Sequence, residues 1–203
     1  LSKAGGLALG GLTVVAGVLL AASAKGMQLG MPTCVTAICI ALAVSAIERH
    51  NPLSLVRNIS WSVIPLVAGL FILVEALGAA GALHLFQCAL LTVARWPPLA
   101  GALATSFAVG AGTNLINNLP LGLISGAGVH ASHITGVLRN AILIGIDLGP
   151  NLSVTGSLAT ILWLLELRKE GVHVSGWTFF KAGIVVMPFA LVVATLVATA
   201  LRW

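Results

Sequence analysis

VLRNAILIGIDLGPNLSVTGSLATILWLLEL, residues 137–167, decides the fold. Its first ten residues are an apolar run that stops at Asp147. Ten helical residues rise only ~15 Å, about half of the ~30 Å hydrocarbon layer of a bilayer. A second apolar run, SLATILWLLEL, begins at Ser157. Neither half crosses a membrane alone, and together they do. Between them lies DLGPNLSVTGS, where Pro150 lacks an N–H and Gly149 and Gly156 loosen the backbone. The stretch reads as a transmembrane helix broken at membrane depth. Its polar side chains must then face protein or a water-filled cavity, because lipid offers them no partner.

A second irregular region lies just upstream. A short amphipathic piece ends at Ala94, and Arg95-Trp96-Pro97-Pro98 stops it. An apolar stretch of residues 99–112 leads to Thr113-Asn114-Leu115-Ile116-Asn117-Asn118-Leu119-Pro120, and another short apolar stretch ends at Val129. Each arm looks too short to cross, so residues 99–129 read as a re-entrant hairpin. Simple spans are expected at about 5–24, 31–47, 58–80 and 177–201, the second of them followed by the polar stretch Glu48-Arg49-His50-Asn51-Pro52.

Composition agrees with an all-α integral membrane protein. Hydrophobic residues make up 59% of the 203 and charged ones 7%, against about 25% charged in soluble domains. The runs are continuous and rich in Ala, Leu, Gly and Val, not alternating as in a β-barrel, and no Tyr is present for an aromatic girdle. The net charge of +5 comes from Lys and Arg scattered singly at the ends of apolar runs, which reads as flank anchoring in lipid and not as nucleic-acid binding. Lys3, Arg49, Arg57, Arg168, Lys169 and Lys181 fall on one side. Lys25, Arg95, Arg139 and Arg202 fall on the other if the hairpin enters and leaves on one face, so the first group is expected in the cytoplasm and the C-terminus outside.

Chemistry concentrates at the two interruptions. Broken helices at the midplane are where transporters build substrate and ion sites. Thr113, Asn114, Asn117 and Asn118 on the hairpin, with Asn151, Ser153, Thr155 and Ser157 on the broken helix, offer amides and hydroxyls. These can replace the water of an incoming solute. As a bland alternative, the Asn side chains only satisfy the turn backbone. Asp147 is the one Asp in the chain and sits in an apolar run. An apolar setting disfavours the charged carboxylate, which suits a residue that takes up and releases a proton. Its structural alternatives are a cap on the second half-helix or a pair with Arg139. Gly149, Pro150 and Gly156 read as the backbone break itself.

The other candidates are weaker. Cys34 and Cys39 lie about 140° apart around a helix, and Cys88 is in another segment, so all three are expected as small buried hydrophobes with no metal or disulfide. His50, His84, His130, His133 and His173 fall near run ends, as interfacial residues do, although His130 and His133 also suit proton entry to the hairpin side. Glu75 reads equally as a helix-end residue or a relay member. No zinc-protease, nucleophile-elbow or nucleotide-loop pattern occurs, so no enzyme and no cofactor is expected.

GTNLINNLP (112–120), IGIDLGPNLSVTGSLATILWL (144–164), RNISWSVIPLVAGLFILVEAL (57–77) and VVMPFALV (185–192) together resemble the arsenite efflux pumps of the ArsB type. The likeness runs in order over nearly the whole chain. It implies an ion-transporter fold built from two inverted repeats, each with a re-entrant hairpin and a broken helix, of which this chain matches the C-terminal one. An N-terminal half would complete one shared site. The resemblance further implies export of arsenite and antimonite across the bacterial inner membrane, driven by protons, with some members energised by a soluble ATPase partner. Arsenite at neutral pH is an uncharged trihydroxide, suited to Asn and Thr with no thiolate. Asn114, Asn117, Asn118 and Asn151 would contact it, with Thr113, Ser153 and Thr155 completing the polar set, and Asp147 would couple protons. Two readings compete: a sodium/proton antiporter or carboxylate transporter on the same fold, and a structural membrane subunit that transports nothing.

Overall fold

The computed structural model describes residues 3–48, 61 and 63–201. Arg49, His50, Asn51, Pro52, Arg57 and Arg202, together with the start of the expected 58–80 span, lie outside the described residues. The chain divides into two compact units, Leu1–Ser62 and Val63–Trp203.

The first unit is an antiparallel pair, α1 (Lys3–Ala24) and α2 (Gly30–Glu48). Gly26 adopts φ 65°. Around it Met27 N–H donates to the Ala22 carbonyl and Gly26 N–H to the Ser23 carbonyl, both at 3.0 Å. This left-handed glycine cap satisfies carbonyls that would otherwise end α1 unpaired. Both helices are long and apolar enough to span.

The second unit begins with α3 (Val63–Ala79) and α4 (Ala82–Val93), bent by 69° at Ala80-Gly81. Gly81, at φ 85°, makes the corner. Next come α5 (Pro98–Ile116) and α6 (Asn118–Ala131), separated by Asn117 alone. The expectation that each arm of this hairpin is too short to cross fails for the first. α5 has 19 residues and is of spanning length. It continues through the polar tip, where the polar side chains bond back onto the preceding turn. Thr113 Oγ1 and Asn114 Nδ2 both donate to the Gly110 carbonyl, at 2.7 and 2.8 Å.

Two 12-residue helices, α7 (Val137–Leu148) and α8 (Leu158–Lys169), flank the interruption, which holds 3-10 turns at Gly149–Leu152 and Val154–Gly156. Each helix rises only ~18 Å. Ser157 caps α8 by accepting from Ala159 N–H at 3.2 Å. Finally α9 (Gly176–Ala200), with Pro188 inside it, is capped by Ser175, whose Oγ accepts from Thr178 N–H at 3.1 Å.

The fold is all-α, and the broken helix and hairpin pack as one body. α5 and α7 run parallel and in register. A Cβ on Gly145 would stand 2.7 Å from the Ser106 carbonyl, and one on Gly149 would overlap the Gly110 backbone. Small residues at 106, 110, 145 and 149 let the backbones approach, the usual device for helix pairs in lipid. Leu90, Val109 and Ile142 form a small buried core between α4, α5 and α7. Large apolar side chains such as Leu85, Val185 and Phe189 point outward, each at least 70% exposed, as lipid-facing positions do.

Candidate functional site

The parallel register of α5 and α7 carries the hairpin tip directly onto the interruption. Asn114, one turn beyond Gly110, is the junction. Its Nδ2 donates to the Gly110 carbonyl and, across the two segments, to the Gly149 carbonyl, both at 2.8 Å. Its Oδ1 accepts from Ser153 N–H at 2.9 Å and from Ser153 Oγ at 2.7 Å. An amide offers two donors and one oxygen with two lone pairs, so all four positions are used inside the protein.

Two further bonds close the clamp. Thr155 Oγ1 donates to the Asn114 carbonyl at 3.2 Å, and Asn117 Nδ2 donates to the Thr155 carbonyl at 3.0 Å. Asn117 also makes the turn between α5 and α6. It sits at φ 73°, a region Asn tolerates better than most residues. Its Oδ1 accepts from Leu119 N–H at 3.2 Å, capping α6.

The glycines of the break act differently from the expectation. Gly149 is right-handed helical, φ −55° and ψ −42°, so its value is not conformational freedom. It is there because a Cβ has no room against Gly110. Gly156 is likewise boxed in: a Cβ would meet the Pro150 carbonyl at 2.6 Å and Asn114 Oδ1 at 2.7 Å. Gly183 of α9 lets that helix touch the Asn151 and Leu152 backbone. Gly110, Gly145, Gly183 and Ser106 were not singled out by the sequence reading. The small-x-x-x-small spacing of Ser106/Gly110 and Gly145/Gly149 was the available signal.

The remaining polar residues separate by what they already bond. Thr113 is fully buried, its hydroxyl on the Gly110 carbonyl. Asn151 is exposed and uses only Nδ2, donating to the Leu148 carbonyl at 3.0 Å. Thr155 is exposed, with its hydroxyl 3.0 Å from Ser153 Oγ. Asn118 is half-buried and forms no side-chain hydrogen bond among the described residues.

Asp147 is exposed in the last turn of α7. Neither structural alternative for it holds: Ser157 caps α8, and the ion pair seen among the described residues is Lys169–Glu166 at 2.7 Å. Cys34, Cys39 and Cys88 are exposed, not buried, a difference that follows from helices whose apolar faces turn outward. Cys88 Sγ lies 3.8 Å from His84 Nε2, one turn back on α4.

The family model for the arsenical pump membrane protein, ArsB, matches residues 11–202. This chain belongs to that family. The arsenical pump membrane protein of Escherichia coli K12 is 30% identical over 182 residues, 86% of this chain and 42% of that protein. The protein of the same name from Yersinia enterocolitica is 29% identical over the same length. A 46 kDa membrane protein of Mycobacterium leprae is 27% identical over 163 residues, 76% of this chain and 37% of its own. The chain thus spans about two fifths of the curated relatives it matches. No solved structure matches it. Family membership and the spanning helices make it a multi-pass protein of the bacterial inner membrane.

Proposed function

We propose that this chain is the C-terminal half of an arsenite and antimonite efflux pump and supplies half of the translocation site. The observation that carries the reading is the clamp itself. It joins a hairpin tip to a helix break and still leaves Asn118, the Asn151 side-chain amide oxygen, the Thr155 hydroxyl and Asp147 with hydrogen-bonding capacity.

Within that reading the polar set divides in two. Asn114, Thr113 and Ser153 hold the geometry. Asn118, Asn151 and Thr155, with the remaining N–H and lone pair of Asn117, meet the substrate. An uncharged trihydroxide needs donors and acceptors in equal measure, and amides present both. The half-helix ends add to this. Helix starts present N–H groups and helix ends present carbonyls, so a neutral molecule is accommodated where an ion of either sign would favour only one of them. An N-terminal half with a matching hairpin and break would close the site over the exposed face of Asp147. Asp147 then binds a proton on the outer side and releases it inside as arsenite leaves.

Everted membrane vesicles carrying the full-length protein test this. Arsenite should accumulate when a proton gradient is imposed, without sodium, and Asp147→Asn should abolish accumulation while leaving the protein folded. Uptake that needs ATP and ignores the gradient would remove Asp147 from the coupling. Absence of arsenite movement would refute the cargo assignment.

A further inference from the structure

The end of the bundle away from the clamp holds a second polar feature. A cavity of about 470 Å³ opens between α6 and α7, around the loop that joins them. His130, His133, Thr135 and Arg139 line it, and Ser125 lies in its wall. Ser125 is fully buried and its hydroxyl has no hydrogen-bond partner.

The field in the cavity has one sign. No carboxylate lines it, and Arg139 forms no ion pair among the described residues. The carbonyl end of α6 is spent: Ser132 N–H donates to the Gly128 carbonyl at 2.9 Å, and Ile134 N–H to the Val129 carbonyl at 3.2 Å. A guanidinium and two imidazoles set the donor character of the cavity. His133 is held at φ 51°, a conformation that suits glycine. Non-glycine residues in such conformations cluster at sites with a function.

We propose that this cavity binds a phosphate group. A guanidinium fork with imidazole and hydroxyl donors is the donor set that a tetrahedral oxyanion uses. The volume exceeds one bare phosphate, and the deeper wall is apolar, made by Ile142, Leu143 and Ile146. Inorganic phosphate and the headgroup of an anionic phospholipid share the required chemistry; the lipid would also lay its glycerol and acyl portion on that wall. The proposal is independent of arsenite export, because binding is read on purified protein with no arsenical present.

The test uses the full-length protein, freed of lipid in detergent. One arm measures radiolabelled inorganic phosphate by equilibrium dialysis. The other counts phosphatidylglycerol against phosphatidylcholine retained from mixed nanodiscs by native mass spectrometry. One bound phosphate group per chain is expected in at least one arm: dialysis alone identifies free phosphate, and preferential phosphatidylglycerol retention identifies lipid. Arg139→Gln should weaken binding by tenfold to a hundredfold. His133→Gly should weaken it several-fold without harming the fold, since glycine prefers that backbone conformation. Binding in neither arm, or wild-type affinity in both variants, overturns the proposal.

Discussion

Asn114→Ala, set beside Asn118→Ala, tests the proposed division between a residue that holds the site and one that touches the cargo. The substitution removes four hydrogen bonds at once: to the Gly110 and Gly149 carbonyls, and from the Ser153 N–H and hydroxyl. At about 1 kcal/mol net for each bond, the loss is about 4 kcal/mol. Alanine returns none of it, and Ser153 N–H is left in a partly buried setting with its acceptor gone. For a chain of this size, such a loss lowers the midpoint of thermal unfolding by roughly 8–16 °C. Differential scanning fluorimetry of the detergent-solubilised protein measures it. Asn118→Ala, which breaks no side-chain bond among the described residues, should leave the midpoint within about 2 °C while arsenite transport falls. If Asn114→Ala instead melts at the wild-type temperature and only transport is lost, the clamp is not structural and Asn114 is itself a substrate ligand.

Two further substitutions probe the packing around the clamp. Gly149→Ala drives a methyl group into the Gly110 backbone and should cost about 1–3 kcal/mol or more, whereas Gly126→Ala meets nothing within 4 Å and should melt as wild type, both read by the same fluorimetry. Thr105→Val deletes a buried hydroxyl that has no partner and should be neutral or raise the midpoint, as removal of an unpaired polar group does.

The broken helix was legible because its signals are local. Ten apolar residues, an Asp, a Gly-Pro and a second apolar run leave few other readings. Helix α5 was misjudged because its polar tip resembled a loop. Thr113 and Asn114 are poor helix formers only while their side chains compete with the backbone. Once both bond to the Gly110 carbonyl one turn back, the helix runs on to Ile116. The corner at Gly81 has the same origin: its signal is one glycine in a run of small residues, which an apolar count passes over. Asn114 and Asn118 are indistinguishable in sequence, since both are amides in one motif. What parts them is the parallel register of α5 and α7, which places position 114 against Ser153. That register is set by small residues at 106, 110, 145 and 149, and a reader weighing side-chain chemistry alone gives those positions no role.

The clamp also constrains how such a site can work. A neutral substrate offers no long-range attraction, so it must be recognised by short hydrogen bonds held at fixed spacing. Free amides at a helix break would instead bond to one another or to stray carbonyls and close the site. Here the amide nearest the break spends every hydrogen bond on the two segments, three on backbone groups and one on the Ser153 hydroxyl. Tip and break are thereby tied into one body, with α9 pinned alongside by the buried bond from Thr195 Oγ1 to Ser106 Oγ at 3.1 Å. On the proposed reading, a rigid half-site keeps Asn118, Asn151 and Thr155 available to substrate. On that reading, opening and closing around a substrate falls to movement of this body against its surroundings, because movement within it would break the bonds that shape it.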